Sequence, residues 1–177
     1  MYKRQDLLNG GDGVDFLNGG EGSDILFGGA GNDGFFGGGG NDLISGDDGD
    51  DRVYGDGGND IIQGGRGSDI LSGGQINYVA TSAGNDTFVW AREDVLNLDG
   101  SQAGVDKITD FNAGDRLDFS GLMAGRSGFD PHALVRVTDS ATGTMVSVDM
   151  GSGFADVVLL QDVHVADVDA LLPQIVL

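Results

Sequence analysis

Seven aspartates stand nine residues apart in the first part of the chain: Asp15, Asp24, Asp33, Asp42, Asp51, Asp60 and Asp69. Carboxylates are hard oxygen donors, and a fixed interval lets a regular backbone stack them into rows that a hard cation can fill. Read in nines from Gly10, the units are GGDGVDFLN, GGEGSDILF, GGAGNDGFF, GGGGNDLIS, GDDGDDRVY, GDGGNDIIQ and GGRGSDILS. Glycine holds the first and fourth positions of every unit and aspartate the sixth. The eighth is always apolar: Leu17, Leu26, Phe35, Ile44, Val53, Ile62 and Leu71. No catalytic pattern shares this phase. The chain contains no HExxH and no GxSxG, and no nucleophile has a base beside it in sequence, so the reading is of a non-enzyme.

Glycine supplies positive φ for a tight turn and lets carbonyls approach a ligand. The first six positions therefore read as a turn and the last three as a short strand. In that strand the eighth residue points opposite to the seventh and ninth, toward a narrow core. Two units make one coil, with strands on opposite sides and coils stacked at roughly 4.8 Å by parallel pairing. Asp15, Asp33, Asp51 and Asp69 then line one edge. Asp24, Asp42 and Asp60 line the other, with Asp6 at its start. Carboxylates that close repel one another unless a cation lies between them. A dication taking about six to eight oxygens at roughly 2.3–2.6 Å fits turns rich in carbonyls, and magnesium, which prefers a tighter octahedron, fits less well.

Composition points the same way. Of 177 residues, 34 are glycine, whose backbone entropy is costly to freeze, and only 39% are apolar. The formal net charge of −20 disfavours nucleic acids and anionic membranes and favours cations. The absence of cysteine excludes disulfides and thiolate metal sites. No stretch approaches the ~18 apolar residues of a membrane span. The start, MYKRQDLLNGG, lacks a signal-peptide core and fits the end of a preceding repeat. The chain is therefore expected to be the C-terminal piece of a longer protein.

Residues 10 to 72 resemble the RTX family, whose GGxGxDxUx nonapeptide builds a calcium-binding parallel β-helix. The resemblance implies roughly five to seven Ca2+ ions held between neighbouring turns. The implied ligands are the sixth-position aspartates together with turn carbonyls and the glycines around them. These are Gly10, Asp12 and Gly13; Gly19, Glu21 and Gly22; Gly28, Ala30 and Gly31; Gly37, Gly39 and Gly40; Gly46, Asp48 and Gly49; Gly55, Gly57 and Gly58; and Gly64, Arg66 and Gly67. Asp47 and Asp56 depart from the pattern at the second position, which either weakens their turns or adds a carboxylate to a site. Arg52, at position seven, reads as a solvated residue. A flexible linker would not hold aspartate and an apolar residue in phase. A dinucleotide loop would need a longer strand and a helix around it, and an EF-hand reading of GDDGDDRVYGDG lacks flanking helices.

The period breaks after Gly74, with Tyr78 where aspartate is due. A degenerate unit returns at residues 83–90, AGNDTFVW, and places Asp86 as the continuation of the Asp60 edge. Residues 104–119, GVDKITDFNAGDRLDF, resemble the segment that follows many RTX tracts. In it Ile108, Phe111, Leu117 and Phe119 read as core. Asp106, Asp110 and Asp115 read as ligands or turn formers, with Asp110 the favoured ligand. ALVRVTD and TMVSVDM, joined by SATG, read as a hairpin, and DVVLLQDV as a further strand. Asp167 reads as a helix N-cap, Trp90 as core, and His132 and His164 as surface or turn residues. The succession resembles the C-terminal target domain of type I secretion substrates, notably large RTX adhesins.

The expected fold class is all-β. Residues 1–74 form a parallel β-roll, a right-handed β-helix of nonapeptide repeats, and 75–177 a β-rich C-terminal cap and secretion region. The resemblance implies an exported, extracellular or cell-surface module, monomeric as a fragment, handled by a type I ABC transporter. It would be unfolded in a calcium-poor cytoplasm and folded by calcium outside. The alternative is the C-terminal module of a secreted hydrolase. A third reading has the cap bind a partner surface.

Overall fold

A computed structural model describes residues 5–74, 84–96, 101–125, 130–151, 153–165 and 168–177. Tyr78 and Asp167 lie outside the described residues, as does the side chain of His132. Each repeat contributes one strand, and alternate strands fall in two facing parallel stacks. One stack holds β1 (Leu7–Asp12), β3 (Ile25–Ala30), β5 (Leu43–Asp48) and β7 (Ile61–Gln63). The other holds β2 (Phe16–Glu21), β4 (Gly34–Gly39), β6 (Arg52–Gly57) and β8 (Ile70–Ser72). Leu7 pairs with Ile25 and Ile25 with Leu43, so a coil is two repeats long.

The strands exceed the expected three residues. Pairing resumes after the corner, with Gly11 opposite Gly29 and Asp12 opposite Ala30, so β1 through β6 each run six residues. The corner lies at position two, where the backbone turns left-handed: φ is 95° at Gly11 and 91° at Gly20. Because neighbouring coils bend at the same place, their backbones stay in register through the bend and on into position three.

The eighth-position row is the core. Leu26, Phe35, Ile44, Val53, Ile62 and Leu71 are fully buried, and Phe88, Ile108 and Leu117 continue the row. Positions seven and nine face outward, as period-two alternation requires; Leu7 and Phe16 are exposed.

Both sheets continue past the last regular repeat. β9 (Thr87–Val89), β11 (Arg116–Asp118) and β15 (Ile175–Val176) extend the first sheet to seven strands. β10 (Asp106–Ile108) extends the second and pairs parallel with β14 (Phe154–Gln161). β14 then pairs antiparallel with β13 (Gly143–Asp149), and β13 with β12 (Val135–Ser140), across the expected hairpin turn. This antiparallel ribbon is apolar on its inner side, with Val146, Val148, Val158 and Leu160 buried. Phe111 and Phe119 are also buried. Short helices at Arg92–Val95, Pro131–Leu134 and Val168–Leu171 bridge the strands.

Candidate metal centre

The residue before each strand is the sixth-position aspartate, and its carboxylate folds inward under the turn rather than out to water. From Asp24 onward, one oxygen of each is fixed by the neighbouring coil. On one edge the Asp15 N–H donates to Asp33 Oδ1 (2.9 Å), Asp33 to Asp51 (2.7 Å), Asp51 to Asp69 (2.8 Å) and Asp69 to Asp106 (3.0 Å). On the other the Asp6 N–H donates to Asp24 Oδ1 (2.6 Å), Asp24 to Asp42 (2.8 Å), Asp42 to Asp60 (2.9 Å), Asp60 to Asp86 (2.9 Å) and Asp86 to Asp115 (3.0 Å). Each bond ties one coil to the next through a charge-assisted contact.

The second oxygen is the informative one. Oδ2 of Asp15, Asp24, Asp33, Asp51, Asp60, Asp69 and Asp86 is buried and has no hydrogen-bond partner. A buried carboxylate oxygen left unpaired is costly, and so many in register point to a ligand. Each lies beside the first-position glycine of its own turn and, along most of the ladder, the first-position carbonyl of the next coil. A methyl group at Gly19 would fall 2.7 Å from Asp24 Oδ2 and 2.6 Å from the Gly37 carbonyl oxygen. A methyl at Gly10 would fall 2.8 Å from both Asp15 Oδ2 and the Gly28 oxygen. The invariant glycine therefore keeps open a small oxygen-lined cradle in each turn. Among the described residues no three carboxylate or imidazole groups converge on one point. A cation here would draw on carboxylate and carbonyl oxygens together, a donor set that suits calcium and not zinc.

The electrostatics agree. Burial, the largest cause, drives the Asp60 and Asp69 carboxyls up to about 8 and Asp51 to about 7, and adjacent ladder carboxylates push in the same direction. Burial also raises Asp86 and takes Asp115 to about 6 and Asp106 to about 7. These groups resist ionising together at neutral pH, and a dication among them reverses that penalty.

The comparisons with known proteins coincide with this geometry. The RTX calcium-binding nonapeptide repeat (4 copies) matches residues 9–44 and 45–75. A solution structure of the AlgE6R3 subunit from the Azotobacter vinelandii mannuronan C5-epimerase is 31% identical, with a TM-score of 0.55 over 88% of this chain and 80% of that one. The chain belongs to the RTX calcium-binding repeat family. The AlgE6R2 subunit of the same epimerase is similar at 28% identity and a TM-score of 0.50, over 89% of this chain and 84% of that one. No curated protein matches. RTX repeats bind calcium, and in this chain the oxygen-lined cradles hold the buried carboxylate oxygens that lack a hydrogen-bond partner.

Other RTX positions hold the scaffold. The fourth-position amides of Gly13, Gly22, Gly31, Gly40 and Gly49 donate to the third-position carbonyls of Ala30, Gly39, Asp48, Gly57 and Arg66 in the next coil. Those carbonyls therefore each hold one coil-to-coil bond already. The Arg66 side chain turns out to Asp48, at 3.6 Å, and to the Glu93 carbonyl. Asp47 and Asp56 take the left-handed position-two corner themselves, with φ of 72° and 70°. The exposed Asp47 carboxylate accepts from Ser45 Oγ, whereas Asp56 is half-buried, and its carboxyl is raised by burial and then by Asp42. His164 is exposed and pairs with Asp139.

Asp110, the favoured ligand of the C-terminal segment, stands at the turn after β8. Its carboxylate accepts Ser72 Oγ–H, the Gly73 N–H and the Gly74 N–H, so it closes the turn after β8, and its charge helps raise the nearby Asp86 and Asp115 carboxyls. The residues that do extend the ladders are Asp106 and Asp115. A further row was not legible beforehand: position-five side chains also link coils, as in Asn59 N–H to Asn41 Oδ1 (3.0 Å) and Ser68 N–H to Asp50 Oδ1 (2.9 Å).

Proposed function

We propose that this chain is a calcium-driven folding and export module carried at the C-terminal end of a secreted bacterial protein, and that it is not itself a catalyst. The observation that carries the reading is the row of buried, partnerless Oδ2 atoms behind glycine-lined cradles. Without a cation these carboxylates oppose folding, as does the entropy of 34 glycines. A calcium-poor cytoplasm would leave the repeats unfolded and able to thread a type I export channel. Calcium outside binds only the folded form, so its binding energy becomes folding energy. Because the C-terminus leaves first, folding of the emerged roll would oppose backsliding. The cap's resemblance to secretion target domains supports a large adhesin as the carrier.

A second reading has an observation of its own. The similar structures are subunits of an enzyme, which favours a module appended to a secreted enzyme and stabilising it. Direct binding of a uronate polymer fits this chain poorly, since its net charge is −20. The upstream sequence of the carrier separates the two readings: repetitive adhesin modules on one side, a catalytic domain on the other.

The test is far-UV circular dichroism during a calcium titration, with magnesium as control and EDTA as reversal. The expected result is a cooperative gain of β signal with calcium alone. A fully folded spectrum in EDTA would show that the core and cap suffice and would remove the basis for an export switch.

A further inference from the structure

On the edge that runs through Asp15, Asp33, Asp51 and Asp69, each turn opens with a glycine that leaves the cradle clear. The last turn does not. Ile62 pairs with Phe88, so Trp90 stands two residues on, where Gly64 stands in the coil before. Asp106 is the acid of that turn, since its Oδ1 accepts the Asp69 N–H as Asp69 Oδ1 accepts that of Asp51. Its Oδ2, which is partnerless in Asp15, Asp33, Asp51 and Asp69, here accepts Trp90 Nε1–H at 2.7 Å. The indole is 1% exposed and packs against Phe119 with ring centroids 5.1 Å apart.

We propose that Trp90 is a built-in plug that closes the last cation cradle of this edge, its indole filling the glycine slot and its N–H taking the carboxylate oxygen a calcium ion would take. The cation ladder on this edge then stops at the Gly64–Asp69 turn, and the roll passes from metal-held coils to coils held by protein alone. The other edge ends in a parallel way: Asp115 Oδ1 accepts the Asp86 N–H, and its Oδ2 accepts the Asn112 N–H at 2.9 Å. A neutral donor satisfies the last oxygen without importing charge, and a buried aromatic ring seals the slot against water. The result is a fixed end to a ladder that could otherwise propagate coil by coil. The proposal rests on the calcium reading of the cradles.

The experiment counts calcium ions bound per intact chain by equilibrium dialysis, with folding followed by circular dichroism. Asp69→Asn should bind one ion fewer than the parent, Asp106→Asn the same number, and Trp90→Gly one more. A loss of one ion in Asp106→Asn would make Asp106 a ligand and overturn the plug. A folded Trp90→Gly chain with no gained ion would overturn it too. If Trp90→Gly fails to fold, the Asp69 and Asp106 variants decide alone. A parent that binds no calcium overturns the functional reading and the plug together, so the two failures are distinguishable.

Discussion

At the scale of the residue, the two adjacent glycines of the second repeat, Gly19 and Gly20, do different work. Gly19 is indispensable for space: any side chain there meets Asp24 Oδ2 and the Gly37 carbonyl inside the cradle. Gly20 is indispensable for backbone shape only; its φ is 91° and nothing lies within 4 Å of where a methyl would go. The two substitutions to alanine should therefore separate. Gly20→Ala should cost about 1 kcal/mol through left-handed strain and leave the number of bound calcium ions unchanged. Gly19→Ala should remove one ion and cost roughly 2–4 kcal/mol, because a cradle oxygen must move or stay unpaired. Calcium counting and the midpoint of calcium-induced folding measure both effects. Equal ion counts in the two variants would show that the cradle does not hold the metal. Asp47 and Asp56 show the same division from the other side, since they adopt the position-two corner that aspartate tolerates better than most residues.

At the scale of the element, the open question is whether the regular repeats stand alone. β7 and β8 are covered on their far side by β9 and β10, and β10 in turn by β14. A chain ending at Gly74 would expose Ile62 and Leu71, both fully buried, and two unpaired parallel edges. It should need several-fold more calcium to fold than the whole chain, as read from circular dichroism midpoints. Equal midpoints would mean that the C-terminal strands contribute nothing to the roll. Much of this architecture could be read in advance, because a nine-residue phase fixes both the buried eighth-position row and the two aspartate rows. Asp86 was legible as the next rung after Asp60, but the rungs after Asp69 and Asp86 were not fixed by the period. Asp106 follows Asp69 by 37 residues, and Asp115 follows Asp86 by 29, so no fixed period reaches them. The surviving signal is local: Asp86-Thr87-Phe88, Asp106-Lys107-Ile108 and Asp115-Arg116-Leu117 each repeat the aspartate–any–apolar triplet that opens a strand. Asp110 lacks it, being followed by Phe111-Asn112, and it settles into a turn. The parallel seat of β14 against β10 had no sequence signal, since an apolar strand carries no mark of its neighbour.

At the scale of the whole molecule, the buried carboxylates make folding a competition between protons and calcium for the same oxygens. Burial lifts Asp51 from 3.8 to about 7, and Asp60 and Asp69 from 3.8 to about 8. A carboxyl whose folded pKa is raised binds its proton more tightly in the fold than in the unfolded chain. Its favourable contribution is therefore complete below about pH 4 and is lost as pH rises through 7 to 8. In EDTA the chain should accordingly show more β signal at about pH 5 than at about pH 8.5, as protons quiet the ladders that calcium would otherwise bridge. With calcium present the order reverses in the metal's affinity: the folding midpoint should move to higher calcium as the medium is acidified, because binding must expel those protons. A set of calcium titrations across this pH range, each read by circular dichroism, tests both halves. A metal-free chain less folded at pH 5 than at pH 8.5 would mean that the inward carboxylates are not what opposes folding. The remaining cause would be the cost of ordering a glycine-rich backbone, which has no such dependence on pH.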